Sequence, residues 1–136
     1  MEKIVPINEE YIYEGSAIVI QTDLDGIITY TNNMFSIVSG YKASELIGIN
    51  QDVIRHPDMP DTIFSKITEA TNSGKVWKGL IKNLRKDGLY YWVDIEILPI
   101  MEDGKVVGLI SAARNASEKE IKENSEKYQK MLEAQG

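Results

Sequence analysis

The chain has 136 residues and a mass of 15.3 kDa, with 43% hydrophobic and 26% charged residues, the proportions of one ordinary globular domain and not of a disordered or fibrous chain. Its 21 acidic and 15 basic residues leave a net charge of −6, and without a Lys/Arg cluster this argues against a nucleic-acid backbone or an anionic membrane surface as partner. There is no cysteine and a single histidine, His56; disulfides, thiolate metal sites, a Cys nucleophile, a cysteinyl photoadduct and a two-histidine metal site are therefore excluded.

Residues 1–15 show no periodicity and are expected to form a short cap packing on a sheet. The pairs Asp25-Gly26, Asp87-Gly88 and Asp103-Gly104 each lie between runs rich in Val, Ile, Leu and Tyr, the strongest short-range hairpin signal. They predict strands over 16–22 and 27–31, then 76–86 and 89–98, with 105–113 pairing back across the third turn: five strands, mainly antiparallel. Between the second and third strands helical spacing predicts short helices over 32–38 and 43–47, ended by Gly40 and Gly48, and a longer one over 60–73, capped by Asp58 or Met59 and followed by Gly74. In 89–98, Leu89, Tyr91, Val93, Ile95 and Ile97 form one face, expected in the core, and Tyr90, Trp92, Asp94 and Glu96 the more exposed one. In 76–86, Trp77, Gly79, Ile81 and Asn83 share a face opposite Lys78, Lys82 and Lys86; the lysine face is expected to be solvated, which puts Asn83 inside. Ser117 and Glu120 have capping-box spacing ahead of a helix running to about residue 134. Its thin stripe of Ile121, Tyr128 and Leu132 suits equally a helix lying on its own sheet and a seam to a second copy or a partner.

The expected architecture is therefore α+β, in the order β-β-α-α-α-β-β-β with a C-terminal helix, divided as a cap at 1–15, the domain proper at 16–115 and a helix at 116–136. No window approaches the roughly 18 apolar residues of a membrane span, and the first residues have no signal-peptide core; a cytoplasmic location is expected.

The stretch from Ile20 to Asn115 resembles a PAS domain: Asp25-Gly26, then Ile28-Thr29-Tyr30-Thr31-Asn32, Ser39-Gly40-Tyr41, Glu45-Leu46-Ile47-Gly48, and Arg85-Lys86-Asp87-Gly88 followed by Tyr91-Trp92-Val93. More narrowly, Val53-Ile54-Arg55-His56-Pro57-Asp58-Met59-Pro60, Trp77-Lys78-Gly79 and Lys82-Asn83-Leu84-Arg85-Lys86 are similar to the sensor domain of the bacterial aerotaxis and redox-taxis receptors, which hold FAD non-covalently. The resemblance implies flavin-binding or signalling positions at Asn32, Arg55, His56, Asp58, Trp77 and Asn83. In light-sensing flavin PAS domains a first pocket asparagine stands where Asn83 is; the second is Val93 here, and the glutamine near the flavin has only Ala112 or Ala113 in its neighbourhood. Two polar contacts of the photoreceptor pattern are thus missing, which together with the missing cysteine points to redox sensing and away from photochemistry.

Each of these residues also has a plain structural reading. Asn83 can both donate and accept at the pyrimidine edge of a flavin, or satisfy a neighbouring backbone group. Trp77 lies roughly 20 Å from Asn83 along an extended strand, so both touch one ligand only if it is long, as FAD is; otherwise Trp77 is a core tryptophan. Arg55 suits the pyrophosphate, or pairs with Asp52 or Asp58. His56, held extended by Pro57, either donates to the cofactor or has no role, while Asp58 and Asn32 are also natural helix caps. Haem is the rival cofactor, with His56 as the one available histidine ligand. A cofactor-free interaction module is a further alternative. No nucleophile with a base and an orienting group is present, so no enzyme is expected. The expected function is a cytoplasmic FAD-binding redox or energy sensor, reaching a membrane only through its partner. With no room for an output domain, that partner is expected to be a methyl-accepting chemotaxis-type transducer on a separate chain, and a homodimer is the further possibility.

Overall fold

A computed structural model describes residues 3–135. Five strands, β1 (Ile18–Asp23), β2 (Ile28–Thr31), β3 (Trp77–Leu84), β4 (Tyr90–Glu102) and β5 (Lys105–Asn115), form one sheet in the order β2-β1-β5-β4-β3, antiparallel throughout. The chain crosses from β2 at one edge to β3 at the other through α1 (Asn33–Ser39), α2 (Ala43–Leu46), a 3-10 turn (Gln51–Ile54) and α3 (Asp61–Asn72), and it ends in α4 (Glu118–Gln135).

The Asp-Gly turns close the hairpins as expected. At the third, Asp103 (φ 49°) and Gly104 (φ 76°) are both left-handed, the backbone of a two-residue turn whose twist matches that of its strands. Here β4 runs on to Glu102, beyond the predicted end at 98, because Pro99 pairs opposite Leu109 and the register shifts between Ile100 and Met101. The 3-10 turn has no counterpart in the sequence pattern: four residues are too few to display a period.

Side chains build the helical crossing locally. Asn32 caps α1 by accepting from the Phe35 N–H at 3.0 Å, and Gly40 ends that helix at φ 80°, where a side chain is strained. The cap of α3 differs from expectation. Neither Asp58 nor Met59 fills it; Pro60 stands at the position with no side-chain bond of its own. One of the free N–H groups of the first turn is met from far away instead, Asp61 N–H donating to Gln135 Oε1 of α4 at 2.8 Å.

The sheet has two differently covered faces. The inner one, carrying Ile18, Ile20, Ile81, Tyr91, Val93, Ile95 and Ile97, packs against the helical crossing and holds most of the core. On the outer face lies α4, so the last helix rests on its own sheet. Trp92, expected to be the more exposed, is only 7% exposed because Tyr128 stacks on it. The lysine face of β3 is also less solvated than its pattern suggests: Leu80 and Leu84 are buried, and the Lys82 side chain retains 15% exposure, lying over the Tyr90 ring at 4.3 Å.

Candidate functional site

Between the inner sheet face and the helical crossing lies a cavity of about 100 Å³. Its walls are apolar, formed by Ile18, Ile20, Ile81, Val93, Ile95, Ile97 and Ala113 from the sheet and Phe35, Ile54, Phe64 and Ile67 from the helical side. Period-2 geometry puts these sheet residues on one face. The polar lining is sparse: Thr22, Asn83 and Ser111 on the sheet, and Gln51, Asp52 and Arg55 on the 3-10 turn and the residue after it.

Asn83 is 7% exposed, as its alternation predicts, and sits at the end of β3. The backbone of Arg55 pairs with it in an isolated antiparallel bridge, so the loop carrying Arg55 seals the open edge of β3 beside the cavity. The Arg55 side chain lies over the Phe64 ring at 3.9 Å and pairs with Asp61, neither of the partners, Asp52 and Asp58, that the sequence suggested. Arg55 and Asn83 are thus brought together on one cavity. Trp77 is close by but does not line it. Its indole folds flat across Gly79, so that a Cβ on that glycine would come within 2.5 Å of the ring; the indole therefore leans along β3 from Trp77 in the direction of Asn83.

The other three candidates stand elsewhere. The Asn32 carboxamide accepts from the Val19 N–H (3.1 Å) as well as from Phe35, and donates to the Ala17 carbonyl (2.9 Å), a clip joining β1, β2 and α1. His56 is 4% exposed and lies edge-on to Tyr90 with centroids 6.2 Å apart, at the β3 edge and outside the cavity lining. Its Nδ1 accepts from the Asp58 N–H at 3.0 Å. Burial, reinforced by Lys82 and opposed by Asp58, holds its pKa below the ordinary histidine value. The Asp58 carboxylate pairs with Lys82 Nζ at 3.1 Å.

Sequence reasoning missed Thr22 and Ser111, both buried and both on the cavity wall. Thr22 falls two residues after Ile20 and four after Ile18 in a single alternation, which was the available signal; as a β-branched residue it passes for an ordinary strand former. Its hydroxyl is buried with no hydrogen-bond partner among the described residues. Of the two alanines near the photoreceptor glutamine position, Ala113 faces the cavity and Ala112 is exposed on the other face.

An apolar slot with a few unmatched polar groups is the donor set that a planar heteroaromatic ring requires. The residues fit such a ring by chemistry, Asn83 offering both donors and an acceptor and Thr22 a free hydroxyl. A volume of about 100 Å³ falls short of the roughly 300 Å³ at the low end of ligand sites, so entry of a tricyclic ring requires the walls of the cavity to move apart. The backbone bridge between Arg55 and Asn83, which ties the residue after the 3-10 turn to β3, is a contact that parting the helical side from the sheet would break.

Comparison with known proteins agrees with this arrangement. Residues 15–118 match the family described as PAS domain. The chain is 37% identical over 108 residues to the aerotaxis receptor of Escherichia coli (strain K12), covering 79% of this chain and 21% of the receptor. It is 33% identical over 84 residues to phototropin-2 of Oryza sativa subsp. japonica, covering 61% of this chain and 9% of that protein. The chain therefore spans about a fifth or less of these curated relatives. Among solved structures, the PAS domain of a protein from Colwellia psychrerythraea superposes with a TM-score of 0.68 at 29% identity, over 74% of this chain and 86% of that one. A light-oxygen-voltage domain studied with a flavin analogue superposes with a TM-score of 0.68 at 23% identity, over 88% of each chain, a likeness of fold. The antiparallel five-stranded sheet, the helical crossing over its inner face and the match over residues 15–118 lead to one conclusion: this chain belongs to the PAS-domain family.

Proposed function

We propose that this PAS domain holds FAD non-covalently in the inner cavity and works as a redox or energy-state sensor, reporting to a chemotaxis-type transducer on a separate chain. The observation that carries the reading is the apolar cavity with Asn83 at one end, the unpartnered Thr22 hydroxyl on its wall and Arg55 against its helical side. Similarity to an aerotaxis receptor over 79% of the chain supports the sensing role, and the neighbour studied with a flavin analogue supports the ligand class.

Bound flavin would supply reversible electron and proton uptake. The protein's part is to hold the ring dry between Ile20, Ile81, Ile95 and Phe35 and to meet its polar edge with Asn83 and Thr22. Because a carboxamide both donates and accepts, turning the Asn83 amide changes which group it offers to the cavity and which to its neighbour Tyr91. Arg55 is the residue suited to a pyrophosphate, through bidentate donation by its guanidinium, once it gives up Asp61. Trp77 is the candidate for the adenosine side, and His56, Asp58 and Asn32 act from outside the lining by fixing the β3 edge loop and the start of α1. On this reading the protein works in the cytoplasm, reaches a membrane only through its partner, and is a sensor and not an enzyme.

His56 lies outside the cavity lining with Nδ1 already accepting a backbone bond, which favours flavin over haem. The deciding experiment is the absorption spectrum of purified protein before and after incubation with FAD. Bands near 375 and 450 nm, flavin's own, with FAD recovered on denaturation, are expected. A Soret band, or a protein that stays colourless after incubation, overturns the reading in favour of haem or of a cofactor-free interaction module.

A further inference from the structure

A second cavity, of about 210 Å³, adjoins the first. Thr22, Gln51, Asp52 and Leu109 line both, so the two meet at a shared wall. The second is formed by the turn between β1 and β2, the start of the 3-10 turn and the end of α3. It reaches solvent past Leu24, which is 59% exposed, and past the exposed Asp25 and Asp52. It is therefore placed as an opening from the surface toward the apolar cavity.

Its chemistry is the reverse of its neighbour's. The carboxylates of Asp23, Asp25 and Asp52 stand on its wall, and no Lys, Arg or His does. Local bonds hold that shape. Asp23 Oδ1 accepts from the Asp25 N–H (2.9 Å) and the Ile27 N–H (3.0 Å). Asn50 Oδ1 accepts from the Asp52 N–H (2.9 Å), and the Asn50 amide donates to the Asp25 carbonyl (3.1 Å). Asn50 thus ties the β1–β2 turn to the 3-10 turn and keeps Asp25 and Asp52 on one rim. At the junction with the inner cavity stands Thr22, 4% exposed, its hydroxyl without a hydrogen-bond partner among the described residues. A buried hydroxyl without a partner carries a desolvation cost, which a polar ligand group passing between the two cavities would relieve.

Charge decides what such an opening admits. Ligand hydroxyls can donate to carboxylates, whereas a phosphate brings only acceptors and more negative charge. We propose that the second cavity is the mouth of the first and that Asp23, Asp25 and Asp52 make it a charge filter, admitting the uncharged, hydroxylated arm of a ring ligand and opposing a phosphate. This rests on the flavin reading in one respect, that a ring occupies the inner cavity. Arg55 lines that cavity and not the mouth, so Arg55 and the carboxylate rim act on a phosphate-bearing flavin in opposite directions.

The test is fluorescence titration of the full chain with riboflavin, FMN and lumiflavin, in the parent and in Asp25→Asn/Asp52→Asn. Riboflavin and FMN differ by one phosphate; lumiflavin keeps the ring and lacks the hydroxylated arm. Neutralising the two rim carboxylates should tighten FMN relative to riboflavin by about tenfold at low salt, and each single variant should give about a threefold part of that gain. The gain should shrink to about twofold or less in 1 M salt, where the screening length is about 3 Å. The parent should hold riboflavin at least about fivefold more tightly than lumiflavin. An FMN-to-riboflavin ratio that is the same in parent and variants overturns the filter, and so does equal binding of riboflavin and lumiflavin. If neither these flavins nor FAD bind, the ligand reading itself falls and the filter with it.

Discussion

The Tyr128 hydroxyl donates to the Leu80 carbonyl at 2.6 Å, and the same ring stacks on Trp92 with centroids 6.2 Å apart and an interplanar angle of 27°. One residue of α4 thus fastens the helix to edge strand β3 and covers the largest side chain on the outer face of β4. The inner face of the same two strands lines the candidate site, so the final helix and the cavity share a wall.

Removing the hydroxyl while keeping the ring separates these two roles. Tyr128→Phe leaves the Leu80 carbonyl without its donor and should cost about 1–2 kcal/mol, whereas Trp92→Ala empties the outer face and should cost about 3–5 kcal/mol. Urea unfolding measures both. Amide exchange should show the Phe variant loosening α4 ahead of the sheet; equal protection in variant and parent would contradict the anchoring role.

The ligand reading makes a graded prediction on the cavity. Asn83→Ala should weaken FAD and riboflavin alike by at least about tenfold, corresponding to about 1.4 kcal/mol. Arg55→Gln should weaken FAD by a similar factor and riboflavin little, because riboflavin has no phosphate for a guanidinium to bind. Fluorescence titration distinguishes the two patterns, and equal losses of both ligands in the Arg55 variant would remove its phosphate role.

Gly79 leaves the floor on which the Trp77 indole lies. Gly79→Ala puts a methyl group at about 2.5 Å from the ring, so the indole must lift away from β3. The expected cost is about 1–3 kcal/mol, in the range of overpacking, with a red shift in tryptophan emission. An unshifted spectrum with unchanged stability would show that the ring does not rest there.

His56 sets a pH dependence whose sign follows from its burial. Its folded pKa lies below the ordinary value of 6.5, so above 6.5 both folded and unfolded chains carry it neutral and its contribution is complete. As pH falls below 6.5 the unfolded chain takes up a proton that the folded chain refuses, and stability declines until the folded pKa is reached. Glu10, raised from 4.5 by burial and by Glu118, works in the opposite direction at lower pH. Denaturation midpoints between pH 7 and 5.5 should therefore fall in the parent and stay flatter in His56→Gln; parallel curves would contradict the assignment.

Much of this molecule is written in local pattern. Three Asp-Gly pairs and a period of two specify the hairpins and put Asn83, Val93 and Ile95 on one face, because turn chemistry and side-chain alternation act within a few residues. The extension of β4 beyond Pro99 and the short 3-10 turn lay outside that reach, the first depending on pairing with β5 and the second being too short to show a period. The flavin-like motif was equally legible as a string, yet its residues separate in space: Arg55 and Asn83 line the cavity, while His56 and Asp58 pass around the edge of β3 and Asn32 is spent on backbone bonds.

Contacts between distant segments lie beyond any local pattern. Trp92 reads as an exposed strand residue until Tyr128 covers it, and the first turn of α3 finds its acceptor in Gln135, 74 residues away. By itself the sequence determined a small acidic domain without thiol chemistry, its five strands and its inward asparagine. The position of the last helix and the closure of the cavity by Arg55 were decided by packing, because burial is a property of the assembled surfaces and not of any one segment.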